Sequence, residues 1–436
     1  MYWRVLSTIL SILLFAITQT LLMAQELKDP GRPYIQNFDY KTYQAHQENW
    51  SIVQDQRGVI YVGNNLGILE YDGISWRTIT TDKNVAALSL DIDKDGIVWV
   101  GLESEMGFLA PDAAGQMQFV SVVERLPEDQ REFSQVWKVH ATSEGVYFLT
   151  IKKLFLWNGD SMQVEDIVIS SLSTEARDVM YFVEYEKGIV RVDDCKTHVV
   201  PGTESIKNEE NQILLPYGKS DSLLVVTKNG GLFLYDGNSV AAFDAPVNEW
   251  LKQNFPYSAI QLRNGNYVIG TIRGGALVIN SAGERLMLLD RNAGLRDQTI
   301  VFPYEDNEGS VWLAMTNGLA RFEPQMPFMR YDAANGIESA VFDIKRHNRI
   351  IYAGTQLGAF YLDPLAETTP EGLSKAFKPI KEITTYTYVL QEEDGILLAG
   401  TDRGVYEITD RKARRVEARW PRVYDFHRGV KHPERV

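Results

Sequence analysis

An all-β fold built from repeated four-stranded blades, a β-propeller, is predicted by three observations on this sequence. Residues 305–322, EDNEGSVWLAMTNGLARF, hold an acidic turn, a short apolar run, a second turn at Asn317-Gly318 and an alternating run. That is the pattern of two strands joined by a tight hairpin. Nine such copies lie along the chain, closing their first apolar runs at Gly63, Gly101, Leu149, Val183, Val226, Gly270, Ala314, Gly354 and Gly400, a spacing of about 42 residues. Each copy has room for about four short strands, and no 3.6-residue apolar periodicity competes with them.

Taken in order, residues 1–24 read as an export signal. Arg4 supplies the charge, residues 9–17 the apolar core, and Leu22-Met23-Ala24 a processing site before Gln25. Ser11, Thr18, Gln19 and Thr20 interrupt the apolar run, which favours cleavage over an uncleaved N-terminal anchor. Residues 25–48, with Pro30, Gly31 and Pro33, form an extended lead-in that is a candidate to close the ring as a strand against the last blade. The first copy then predicts strands at 50–54, 59–63, 68–71 and 75–79, with Asp, Asn and Gly in the turns. Seven copies fill a first ring over residues 49–327, and the eighth opens a second, incomplete ring over 328–436. Nine copies and a fraction fit no single ring, so the chain is expected to be the front part of a longer protein.

Composition agrees with many short strands and turns: 9 Trp, 21 Tyr, 18 Phe and 33 Gly in 436 residues. A net charge of −14 argues against a nucleic-acid surface, which needs clustered Lys and Arg. Cys195 is the only cysteine, so the chain has no internal disulfide and rests on packing and strand ladders.

Chemistry-bearing motifs are few. Residues 91–96, DIDKDG, match the opening of a calcium loop, but Leu102 stands where the closing glutamate belongs, and the position is that of a blade's first turn. An acidic hairpin is the better reading. The six histidines have no metal-ligand spacing, and there is no nucleophile elbow, phosphate loop or kinase motif. No catalytic residue, metal ligand or cofactor is therefore expected. The basic run 411–415 reads as a solvated outer strand rather than an anion patch.

Two groups of residues are candidates for ligand binding. Aromatics recur at the head of the inner strand of several blades: Trp50, Trp137, Phe302, Phe342, Tyr388 and Tyr424. They serve either as wedges between blades or as stacking platforms for sugar rings at the channel mouth. The second turn of each blade faces the same mouth and varies in its polar residues, among them Asn64-Asn65, Lys228-Asn229, Arg273, Gln356 and Asp402-Arg403. The ligand-binding set from these two groups is Trp50, Trp137, Arg273, Phe302, Phe342, Tyr388 and Arg403.

The copies resemble the two-component-regulator propeller repeat, D-x-x-G-x-[IVL]-W-x-G-T-x-x-G-[LV]-x-x-[FY]. The best match is Asp306, Gly309, Val311, Trp312, Gly318, Leu319 and Phe322, and Gly270-Thr271, Gly354-Thr355 and Gly400-Thr401 supply the G-T element. Leu149, Val183, Val226 and Ala314 replace its first glycine. The resemblance covers about residues 33–436. It implies the periplasmic, ligand-sensing region of a two-component regulator in a Gram-negative bacterium, responding to a small molecule or oligosaccharide. It also implies a membrane helix and an output module, such as a histidine kinase, in parts of the protein that follow this sequence, with homodimerisation through those parts. The alternatives are an exported propeller enzyme acting on glycans and an extracytoplasmic protein-interaction scaffold.

Overall fold

A computed structural model describes residues 33–427 except 82, 210–211, 219–220, 327, 329, 363–367, 370–371, 374–376 and 418–421. The export signal expected over 1–24 lies outside the described residues. Two compact units are present, Pro33–Phe328 and Met329–Val436.

The local unit of the fold is an aspartate-capped turn. In the seventh blade Asp306 Oδ1 accepts the backbone N–H of Glu308 (3.1 Å) and Ser310 (2.8 Å), and Oδ2 accepts the Trp312 indole N–H at 2.9 Å. Asp93 does the same for Asp95, Ile97 and Trp99 in the second blade. In the first blade, Asp55 holds Arg57, whose guanidinium donates to Tyr61 Oη. One carboxylate thus fixes the turn and anchors the aromatic of the strand that follows, which is why D-x-x-G-x-[IVL]-W recurs. The DIDKDG stretch is such a hairpin: Asp93 is the turn cap, and no metal-binding cluster is present among the described residues.

Seven four-stranded antiparallel sheets make up the first unit. Their inner strands are Asn49–Gln54, Ala87–Ile92, Lys138–Thr142, Ile169–Ala176, Ile213–Pro216, Pro256–Gln261 and Ile300–Glu305. Each contacts the next, and the first contacts the last, so the sheets form a closed ring around a central axis. The first blade's remaining strands, Ile60–Asn64, Gly67–Tyr71 and Trp76–Ile79, lie within a residue or so of the predicted spans.

The seventh sheet draws its outer strand from the lead-in. Ile35–Phe38 pairs antiparallel with Gly318–Phe322, from Ile35↔Phe322 to Phe38↔Leu319. The start of the chain is thereby tied to the last blade and no edge strand is left open there. A buried amide network completes the seam. Asn49 Nδ2 donates to the Gly318 carbonyl (3.0 Å) and to Tyr43 Oη (3.2 Å), and its Oδ1 accepts from Asn64 Nδ2 (2.9 Å).

Glycine at the end of the second strand has a packing cause. A Cβ on Gly63 would lie 2.7 Å from the Ala87 carbonyl, and one on Gly270 would lie 2.8 Å from the Ile300 side chain, both on the next blade's inner strand. Yet the glycine is not obligatory. Leu149 and Val183, which replace it, are buried, and their blades are complete four-stranded sheets.

The second unit holds two further four-stranded sheets, whose inner strands Val341–His347 and Thr387–Glu393 contact each other. The outer strand of the second sheet is Lys412–Glu417, which places most of the basic run as expected. Val423 N–H donates to the Thr401 carbonyl at 2.9 Å, so residues 422–427 enter beside this sheet as an inner strand enters beside the preceding blade.

Candidate functional site

The mouth of the first ring begins with a defect in strand pairing. Asn49 pairs with Asn64 and Ser51 with Gly63, leaving Trp50 as an extra residue. The same bulge falls at Tyr257, Phe342 and Tyr388, and at Leu88 and Val301 where no aromatic is present. A bulge re-aims its side chain out of the sheet's alternation. Here it does so toward the axis. Trp50, of the first blade, meets Trp137, of the third, with ring centroids 6.0 Å apart and planes at 72°. The second blade lies between them, so the two rings can meet only on the channel side.

Trp50 is held by its indole N–H, which donates to Asn65 Oδ1 at 2.6 Å, while Asn65 Nδ2 donates to Glu48 Oε2 at 2.8 Å. The second turn and the segment entering the inner strand therefore share this mouth, as the sequence predicts. The Trp137 indole N–H is buried and has no acceptor among the described residues. Tyr257, at its own bulge, is half-buried, and its phenol is pushed up by burial and then by the Glu48 carboxylate.

Lys138, next to Trp137, crosses the channel. Its ammonium lies 5.0 Å from the ring centre of Phe302, which belongs to the seventh blade on the opposite side of the ring. Phe302 is therefore not the counterpart of Trp50. It pairs with Ala314 one place after the bulge, while Val301 occupies the bulge itself. Among the described residues the Lys138 ammonium makes no hydrogen bond and no ion pair of contact length. Burial lowers its pKa to about 8, partly opposed by the charge of Asp91.

Further along the channel the polar groups are structural. Asp91 Oδ2 accepts the Ala141 N–H and Oδ1 the Ile92 N–H, each at 2.8 Å, clamping the second blade to the third. Burial pushes its carboxyl up to about 7, those two N–H groups oppose the rise, and the Glu175 charge adds to it. His140 shares its Nε2 with Ser173 Oγ at 2.8 Å, and burial takes it down to about 3, so it is neutral. Perturbed groups in a channel are where chemistry is sought. However, each Asp91 oxygen already accepts a backbone N–H, the arrangement of a clamp rather than of a free acid or base.

The remaining candidates lie elsewhere. Arg273 is exposed and stacks on Phe255 with its guanidinium 4.3 Å from the ring centre, while Lys228 approaches the same ring at 5.7 Å. Phe342, Tyr388 and Arg403 belong to the second unit, so the seven candidates fall into two separate sets. There Phe342, Tyr386, Tyr388 and Tyr424 form a strip with successive centroid distances of 6.1, 5.9 and 4.6 Å. Arg403 is exposed beside it, and its carbonyl accepts from Arg415. Sequence reasoning missed Lys138, Tyr257 and Tyr386. Their signal was adjacency to the predicted aromatics or to the start of an inner strand. A rim cavity of about 480 Å³ is framed by Phe38, Tyr71 and Trp76, and none of its lining residues is acidic, basic or a histidine.

No family model matches the sequence, and no curated protein does. Solved structures do. Two extracellular domains of hybrid two-component systems from B. thetaiotaomicron match with TM-scores of 0.61 and 0.51, at 16% and 17% identity. Each match covers 88% of this chain and 54% or 53% of the other, so the chain spans about half the length of these domains. The chain has their β-propeller fold. A single propeller, YCF48 bound to D1 peptide, matches 68% of the chain at 14% identity with a TM-score of 0.51. The repeat motif implied this likeness, and at these identities the likeness concerns the fold. The matched domains are extracellular, and among the described residues no helix is long and apolar enough to cross a membrane.

Proposed function

We propose that the chain is the periplasmic ligand-sensing region of a two-component regulator and that the mouth of its first ring takes an oligosaccharide. The Trp50–Trp137 pair carries this reading. Two half-buried indoles from non-adjacent blades meet edge to face at the channel, beside a polar set of Asn65, Glu48 and Tyr257. Apolar ring faces flanked by a few fixed polar groups suit the C–H faces and hydroxyls of a sugar. A ligand that binds two arrangements of the sensor unequally shifts their population, and that shift is the signal. The exposed inner-strand residues Phe342 (45%) and Ile344 (63%) are covered, on this reading, by further blades of a longer protein, as the half-length match to the two extracellular domains supports.

Calorimetry against a panel of neutral and acidic oligosaccharides tests the reading. A bound member should bind about ten-fold more weakly to Trp50→Ala and to Trp137→Ala, the loss of one stacked ring, without being consumed. Turnover of the bound member would replace the sensor with the glycan-enzyme reading. Equal affinity in both variants would move the site away from the mouth. The scaffold reading is favoured by the exposed apolar residues Val341, Phe342 and Ile344 of the strand Val341–His347, and by the peptide-bound propeller among the matched structures.

A further inference from the structure

We infer that Asn65, set by Glu48, is the positioning residue of the first ring's mouth: its amide holds the Trp50 indole in the pair that receives the saccharide. The inference rests on the saccharide reading of the mouth and adds the group that fixes its geometry. Trp50 is the extra residue of a bulge, so the strand ladder does not by itself set where its side chain points. Its indole can only donate a hydrogen bond, and a carboxylate such as that of Glu48 can only accept one. A carboxamide between them satisfies both at once, in a single orientation. Asn65 Oδ1 accepts the Trp50 indole N–H at 2.6 Å, and Nδ2 donates to Glu48 Oε2 at 2.8 Å. The flipped amide would set N–H against N–H and oxygen against carboxylate. Glu48 thus fixes the amide, and the amide fixes the indole.

An asparagine in a turn ordinarily serves the turn, but here neighbouring residues do that. Asn64 Oδ1 accepts the Leu66 N–H at 3.0 Å, and the positive φ of the turn, 119°, falls on Gly67. Asn65 itself does not have a left-handed backbone. Asn64 also steadies both ends of the relay. It precedes Asn65 in the chain, and its Nδ2 donates to the Glu48 carbonyl at 3.0 Å. The other member of the pair has no such anchor. The Trp137 indole N–H finds no acceptor among the described residues, and its ring lies 6.0 Å from that of Trp50 with planes at 72°. Of the two indoles, Trp50 is therefore the one tied by a hydrogen bond, and Asn65 is the side chain that ties it.

Two indoles in this contact couple as excitons, which circular dichroism of the whole chain reads with no ligand present. The part of the signal that Trp50→Ala removes should also be lost in Asn65→Leu. The oligosaccharide of the panel that the parent binds should then bind Asn65→Leu about five-fold more weakly, the loss of one partly buried hydrogen bond. Asn65→Asp keeps an acceptor for the indole but sets a second carboxylate against Glu48, and should lose signal and affinity likewise. Combining it with Glu48→Gln puts the donor at position 48 and should return both, a rescue that a merely structural turn residue would not show. A coupled signal that survives Asn65→Leu, or an Asn65→Asp loss that Glu48→Gln does not reverse, would overturn the positioning role. Affinity lowered in Trp50→Ala but unchanged in Asn65→Leu would overturn it too and leave the sensor reading intact. Binding of no panel member would overturn the saccharide reading and, with it, the ligand role given to Asn65.

Discussion

Phe38→Ala should destabilise the first ring by about 4 kcal/mol and lower its Tm by about 10 °C, a large effect for one residue of a strand with only four ladder pairs. Phe38 is 5% exposed and stacks on Trp312 at 5.3 Å, with Trp76 and Tyr71 edge-on at 5.7 and 5.9 Å. Truncation removes an aromatic ring from a core cluster shared by the first and seventh blades and leaves a cavity that its neighbours fill only in part. Because the cluster is the seam of the ring, the loss also loosens Ile35–Phe38 from Gly318–Phe322 and exposes a strand edge. Thermal unfolding of the parent, Phe38→Ala and Gln36→Ala checks this. Gln36 is exposed on the same strand and should change stability by less than about 0.5 kcal/mol. A loss below about 1 kcal/mol for Phe38→Ala would mean that the closing strand is not what holds the ring shut.

Asp306→Ala should cost about 3–5 kcal/mol, because the carboxylate is 2% exposed and serves several donors at once. Its loss strands the Trp312 indole N–H and the turn N–H groups of Glu308 and Ser310, and removes the anion facing Arg321 Nε at 3.5 Å. Asn keeps an oxygen for the turn but turns its amide N–H groups toward the indole N–H. Asp306→Asn should therefore fall between the parent and Ala. Asp93→Ala, in a turn with the same three donors but more exposed, should cost less. Chemical denaturation of the four proteins checks the order. Equal losses at Asp306 and Asp93 would contradict the role assigned to burial.

These two residues show what could be read from the sequence and what could not. The Asp306 turn is local: its partners lie within six residues, so the motif carries its own geometry, recurring in the second blade at Asp93 and, without the indole, in the first at Asp55. The alternation of apolar residues then gives the strands, and the lead-in could be named as a closing strand from the need to remove an edge. The site is not local. Which side chains reach the axis depends on bulges in most, not all, of the inner strands, and a bulge reverses the two-residue alternation from which a face is read. So Phe302, in step with Trp50 by spacing, lies one place away from the bulge, and Lys138, unremarkable beside Trp137, meets a ring from the opposite blade. Arg273 was legible as a variable turn residue but not as the partner of Phe255, which the left-handed Phe255 backbone places beneath it.

The central claim is that ligand is read at the mouth of the first ring. Amide hydrogen exchange with and without a saturating oligosaccharide from the binding panel tests it most directly. Slowed exchange centred on residues 49–51, 136–139 and 257–258, where Trp50, Lys138 and Tyr257 enter the channel, is the predicted result. Protection confined to Val341–His347, or to the rim around Tyr71 and Trp76, with no change at the mouth, would contradict it.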